Sequence, residues 1–280
     1  MSNAPITEAE ARVAPASAFP QNSDANFRLR VCAVWGTLFV LFVFFFLSFD
    51  LKFDFIVEKF PYLAGLTLTR DGFIQGAALT LFVCFFAIIA SIILGLISAL
   101  GRLSKSAVFY GISTFYTSFF RGTPLLVQIF LIYLGLPQLG PVPAAIPSGI
   151  IALSLNYGAY LSEIFRAGIV SVPKGQVEAG ASLGLHHWVV MWRIVLPQAI
   201  RVAIPPTGSQ FIAMLKDSSL ISVMGVWEIM FLAQSFGRTA YRYIEMLTTA
   251  AVIYWILSIG FEIIQARLEA HYGKGFRERH

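Results

Sequence analysis

Charge is what this chain has least of. Asp, Glu, Lys and Arg make up 12% of its 280 residues, where a soluble domain carries about 25%. Cysteine is nearly absent. Cys32 and Cys84 are the only two; both fall in apolar segments and read as small buried hydrophobes, not as a disulfide or metal pair. Histidine numbers four. His186 and His187 are adjacent and diverge on a helix, so they gather no metal site, and His271 and His280 belong to the tail. No Gly-x-x-x-x-Gly-Lys-Ser/Thr phosphate loop occurs; Gly273-Lys274 comes nearest and continues with Gly. No Ser/His/Asp or Cys/His arrangement stands out. These absences argue against a catalytic, metal or nucleotide-hydrolysing centre and against any cofactor on this chain. The net charge of +5 comes from basic residues set between apolar stretches, which speaks for membrane topology and not for nucleic acid.

Apolar surface is what the chain has in excess: 57% hydrophobic residues, 26 of them Phe. A bilayer-crossing helix takes about 20 such residues. The runs Val31–Phe49, Phe73–Leu100, Phe109–Leu136, Ile146–Phe165, Pro197–Phe236 and Ile244–Ala266 predict six spans in an all-α integral membrane protein. Pro197–Phe236 is too long for one straight helix and reads as a broken or kinked span with a helical lead-in. With the N-terminus in the cytoplasm, Lys52, Lys59, Arg70, Arg238 and Arg242 fall outside and Arg121 and Lys216 fall within spans. All other basic residues, from Arg12 to Arg279, then lie inside. This bias predicts both termini in the cytoplasm. Residues 1–30 are polar and read as a disordered cytoplasmic tail. Residues 31–72 are a first span with its outside loop, and 269–280 a second cytoplasmic tail.

One inside loop differs from the other connections. Residues 166–197 are moderately polar and read as two short helices, with Ser171-Val172-Pro173 as a start signal and Gly184 as a stop. His187–Val195 is a second amphipathic piece, and Pro197 is expected to prevent its smooth continuation.

Within that loop, Glu178-Ala179-Gly180, then Gly184, Ile194, Leu196 and Pro197, follow the spacing of the EAA loop of ABC importer permeases. In that pattern Glu-Ala-Ala is followed by Gly at the seventh position and by Leu-Pro at the end. Gly180 departs from it, standing where the pattern has Ala. Phe120-Arg121-Gly122-Thr123-Pro124-Leu125-Leu126-Val127-Gln128, the run Leu155–Arg166, and Leu215-Lys216-Asp217-Ser218-Ser219-Leu220 resemble one subfamily, the polar amino acid permeases of the histidine/glutamine/arginine type. The resemblance covers residues 73–268, with a coupling loop at 171–197. It implies an ABC type I importer-like transmembrane domain: a five-span core to which this chain adds an N-terminal span. It further implies a bacterial inner-membrane subunit without catalysis of its own. Its implied partners are a dimer of ABC ATPase subunits carrying ATP and Mg, a second permease subunit, a substrate-binding protein and an amino acid substrate. Glu178, Ala179, Gly180, Gly184, Leu196 and Pro197 are then the ATPase-coupling residues.

Charges at membrane depth are the candidate path. Arg121, Glu163, Lys216 and Asp217 lie in or beside apolar runs, where a lipid-facing charge costs at least about 2.5 kcal/mol. They must pair or face water. A zwitterionic amino acid needs a donor for its carboxylate, which the fork of Arg121 suits, and an acid for its ammonium, which Glu163 or Asp217 suits. Asn156, Tyr160 and Glu163 share a helical face, and Gln128, seven beyond Arg121, shares a face with it. Thr123 and Ser219 complete the candidate set. The same groups are open to a purely structural reading as ion pairs and helix–helix hydrogen bonds. Ser91, Gly95, Ser98 and Gly101 predict close packing of the second span. A secondary transporter driven by an ion gradient is the rival function; it leaves the docking loop unexplained, and no internal repeat is evident. A pathless membrane anchor is a third reading, which the intramembrane charges oppose.

Overall fold

The computed structural model describes residues 25–47, 51–69 and 71–272. Of the tails expected at 1–30 and 269–280, residues 1–24 and 273–280 lie outside the described residues. Contacts divide the chain into two units, 1–52 and 53–280. The first holds helix α1, Ala25–Leu47, which begins within the stretch read as tail. Among the described residues its apolar part counts as a shorter apolar helix, Leu29–Phe44. Cys32 lies on it and is exposed, which corrects the expectation of a buried thiol; Cys84 is buried as expected.

The second unit carries α2 (Phe53–Leu63), α3 (Gly76–Leu103), α4 (Ala107–Gly122), α5 (Leu125–Phe130), α6 (Ala145–Val170), α7 (Lys174–Ser182), α8 (His187–Val190), α9 (Leu196–Asp217), α10 (Ile229–Ala240) and α11 (Tyr243–Tyr272). Among the described residues, three continuous helices have the length and apolarity to cross a bilayer: Gly76–Leu103, His187–Met224 and Tyr243–Ala270. A broken pair, Ala107–Gly122 with Leu125–Leu139, makes a fourth. α6 is long enough, with 26 residues, yet less apolar, because it is the helix the others surround. Ser148, Ser154, Asn156 and Ser162 are all buried on it. Their partners are protein, so they need no hydrocarbon character.

Small residues hold α3 against α6. A Cβ on Gly95 would stand 2.8 Å from the Leu161 Cβ. Ser98 accepts from Ser162 at 3.0 Å, and Ser91 donates to the Ala87 carbonyl while reaching that of Ser154. Leu79, Val83, Ile129, Leu153, Met214 and Ile221 fill the main core between these helices. A second core, around Leu63, Ile229, Leu232 and Met246, joins α2, α10 and α11. There the buried Glu228 caps α10, accepting from the backbone N–H of Met230 and Phe231 and from the Tyr254 hydroxyl at 2.6 Å.

Two expectations about continuity are corrected. The third span is not one helix: it bends by 107° between α4 and α5. Pro124 supplies no N–H and disfavours helical backbone in the residue before it, and Thr123 is extended with ψ 144. Pro197, by contrast, does not separate the loop from the next span. A π-turn over Met191–Val195 joins α8 to α9 in one 38-residue helix. The wider turn takes up the position where proline offers no hydrogen bond. That helix ends at Gly225, which adopts φ +78, so α10 is a separate helix and not the second half of the span.

Candidate functional site

Two places carry the sequence-derived site residues. The first is the loop at 171–197. α7 starts after Pro173 and ends in a left-handed Gly184, φ +70. Leu185 N–H donates to the Gly180 carbonyl and Gly184 N–H to that of Ala181, the two reciprocal bonds of a Schellman ending. Glycine is required here because other residues resist positive φ. Val172, Val190 and Val195 form a small core beneath the two helices. A Cβ on Gly180 would meet Val190 Cγ2 at 3.0 Å and Ile194 Cδ1 at 3.1 Å. The departure from Ala thus coincides with a close approach of α7 to the helix that follows it. Glu178 and Ala179 stay exposed beside it.

The second place is a charge hub. Glu163 on α6 accepts from Arg102 of α3 through Oε1, and the same oxygen lies 3.2 Å from Arg121 Nη1 of α4. Its Oε2 takes Arg166 through Nε at 3.2 Å and Nη2 at 3.1 Å. One carboxylate thus serves three guanidinium groups and leaves a net excess of positive charge. Arg121 is the most exposed of the three. Its guanidinium lies 5.3 Å from the centre of the Tyr160 ring, within cation–π range. Tyr160 is 6.3 Å from Tyr157, whose hydroxyl donates to Asp217 at 2.7 Å. Arg121, Tyr160, Tyr157 and Asp217 therefore form a chain of neighbours across α4, α6 and α9. Asp217 and Lys216 are exposed, and Ser219 is half-buried just beyond them.

Gln128 and Asn156 do not join that line. The bend at Pro124 takes Gln128 off the face of Arg121, and both amides are buried. Gln128 Nε2 donates to the carbonyls of Phe120 and Thr123 and to Thr123 Oγ1, and Asn156 Nδ2 donates to the Phe120 carbonyl and to Gln128 Oε1. Thr123 in turn donates to the Phe119 carbonyl. Arg102 and Tyr157 were missed as site residues by sequence reasoning. Arg102 follows the apolar run and counted only as an inside charge; Tyr157 had no signal but its place inside the Leu155–Arg166 run.

A large cleft lies elsewhere, about 710 Å³ between α3, α6, α9 and α11. Ile92, Phe165, Trp192, Ile200 and Phe211 are among its lining residues. Its few polar side chains are already bonded: Thr207 donates to the Ala203 carbonyl and Gln265 to that of Pro205. Such a mostly apolar surface suits apolar chains better than a zwitterion.

Known proteins resemble the chain over most of its length. The chain is 43% identical over 227 residues to a Bacillus subtilis protein described as a probable amino-acid permease, YxeN, covering 80% of this chain and 97% of that one. It is 43% identical to the L-cystine transport system permease protein TcyB of the same organism, covering 71% and 87%. A crystal structure of an amino acid ABC transporter with histidines superposes with a TM-score of 0.71 at 35% identity, covering 80% of this chain and all of that one. Residues 91–274 match the profile of the binding-protein-dependent transport system inner membrane component. The chain belongs to that family of inner-membrane permease components.

Proposed function

We propose that this chain imports polar amino acids, working by alternating access under the drive of a separate ATPase subunit. As the transmembrane component of a binding-protein-dependent system it has no catalytic step of its own. The carrying observation is the loop at 171–197. It folds as two short helices closed by a left-handed Gly184 and runs through the π-turn directly into the spanning helix α9. A push on α7 and α8 by an ATPase subunit, through Glu178, Ala179 and Gly180, then moves α9 with them. Leu196 and Pro197 form the junction.

In this reading the core at 73–268 pairs with a second permease subunit, and both termini lie in the cytoplasm. The first unit adds a span outside the core. The path runs past Arg121, Thr123, Tyr160, Asp217 and Ser219. Arg121 receives the substrate carboxylate, because it shares Glu163 with two other arginines and retains free donors. Asp217 receives the ammonium, since Glu163 already has three cationic partners. Glu163 holds the arginines in place, and Gln128 and Asn156 support the bend.

Co-expression with an ATPase subunit and a binding protein of the same genome tests the reading. ATPase co-purification that is lost on Glu178→Lys or Gly184→Asp, together with ATP-dependent amino acid uptake in proteoliposomes, supports it. A chain that purifies alone and takes up amino acids on an ion gradient overturns it.

A further inference from the structure

A broken helix inside a bilayer exposes backbone groups that water cannot reach. α4 ends at Gly122, so its last carbonyls lack intrahelical partners. Pro124 has no N–H to offer them. Each such group left unsatisfied in hydrocarbon costs several kcal/mol. Here the Phe120 carbonyl accepts two side-chain amides, Gln128 Nε2 and Asn156 Nδ2, both at 2.9 Å. The Thr123 carbonyl accepts Gln128 Nε2 at 3.1 Å, and the Gln128 Oε1 accepts Asn156 Nδ2 at 3.2 Å. Both amides are buried, Gln128 to 2% and Asn156 to 6% exposure. The network spans three elements: the end of α4, the start of α5 and the middle of α6. Arg121 follows Phe120 directly, so the carbonyl that both amides grip belongs to its neighbour.

We propose that Gln128 and Asn156 are positioning residues that lock the 107° bend and thereby present Arg121 to the translocation path. The inference rests on the reading of Arg121 as a path residue. Neither amide need touch the substrate. Each acts through the backbone at Phe120, and Asn156 fixes that backbone to α6, the helix that also carries Tyr160 and Glu163. Loss of the lock lets α4 and α5 straighten or splay, and Arg121 then leaves the Tyr160 ring and the Glu163 carboxylate for part of the time. Apparent affinity falls in proportion to the fraction of competent conformer.

The test uses the full complex with its ATPase and binding protein in proteoliposomes. Spin labels at Ser118→Cys on α4 and Leu134→Cys beyond α5, both exposed positions, report the bend in a Cys32→Ser background. Gln128→Met keeps the shape and removes the N–H donors; Asn156→Ser is the milder change should the first fail to assemble. The expected result is a broadened, shifted label distance together with a KM for amino acid uptake raised about tenfold, as follows when the competent conformer falls to about one tenth. A purely structural role would lower protein yield and leave KM alone. A label distance unchanged in both variants overturns the proposal. So does a shifted distance with wild-type KM, and Arg121→Gln then separates the two ideas. Wild-type KM in Arg121→Gln means the path reading has failed, whereas raised KM there means that only the positioning role has.

Discussion

Arg121 of α4 stands 3.2 Å from the Glu163 carboxylate of α6, although Arg102 already occupies the same oxygen. The two sequence-derived path residues are thus an ion pair with each other, and one of them is heavily shared. This arrangement separates their roles. Glu163 neutralises one of three arginines and holds the other two near it, while Arg121, half-exposed and weakly held, is free to exchange partners.

Substituting these two residues should give different failures. Glu163→Gln leaves three guanidinium groups without a carboxylate in a partly buried site, and like charges that close repel. Lower yield of assembled complex is expected, with uptake reduced at least about tenfold by the disruption of a shared charge network. Arg121→Gln removes one surplus positive charge and should assemble normally while uptake falls. Size-exclusion profiles and proteoliposome uptake on both variants check this. Equal loss of assembly in the two would return Arg121 to a structural role.

Gly184→Val places a β-branched residue at φ +70. The left-handed conformation costs an ordinary residue about 1–2 kcal/mol, and a branched side chain more. The turn between α7 and α8 should open without affecting membrane insertion. ATPase co-purification falls several-fold while the amount of permease in the membrane stays constant. Quantitative blotting of both subunits is the measurement.

Gly180 offers a graded test of the coupling helices. Gly180→Ala restores the family pattern but asks Val190 and Ile194 to yield by a few tenths of an ångström, so coupling should persist with a small loss of thermal stability. Gly180→Leu cannot be accommodated against the same residues and should uncouple ATP hydrolysis from uptake. Thermal melts and the ratio of ATP hydrolysed to substrate imported distinguish the two.

Gly95→Val tests the packing of α3 on α6. The added Cβ alone would lie 2.8 Å from Leu161 Cβ and 3.1 Å from the Gly158 carbonyl, with backbone on one side that cannot move aside. Overpacking of this kind costs about 1–3 kcal/mol or more. Little folded protein should be recovered, as judged by detergent-resistant fluorescence of a C-terminal fusion.

Membrane orientation is open to direct labelling. Val142→Cys, highly exposed in the turn before α6, which the basic-residue bias places outside, should react with an impermeant maleimide on intact spheroplasts. Ser106→Cys, between α3 and α4, should react only after permeabilisation. Both are made in the Cys32→Ser background. The opposite pattern would invert the topology inferred from the basic residues.

Much was legible before any coordinates. Apolar runs marked α3 to within three residues and α11 to within six, because a bilayer demands continuous hydrophobicity. Gly184 was readable as a helix stop because positive φ selects glycine. The twenty-residue spacing from Glu178 to Pro197 marked the family's loop motif, and small residues on α3 announced close packing against another helix, which the structure identifies as α6. Each of these signals is local: it depends on what a residue imposes on its own backbone or on the solvent around one helix.

The rest depended on neighbours distant in sequence. Hydropathy measures preference for lipid, so it underrates α6, whose polar residues meet protein. Pro124 breaks its span and Pro197 does not, and the same residue type has opposite outcomes because a π-turn relieves the second. Gln128 and Asn156 read as path residues along a helix, and the structure shows both amides bonded to carbonyls at a bend that periodicity cannot represent. The union of Arg102, Arg121 and Arg166 on Glu163 requires three helices to converge. Composition and spacing thus determined the membrane class, the two-helix loop at 171–197 and the family. Only the tertiary structure decided which polar groups are spent holding the backbone, because that depends on whether each donor has found an acceptor.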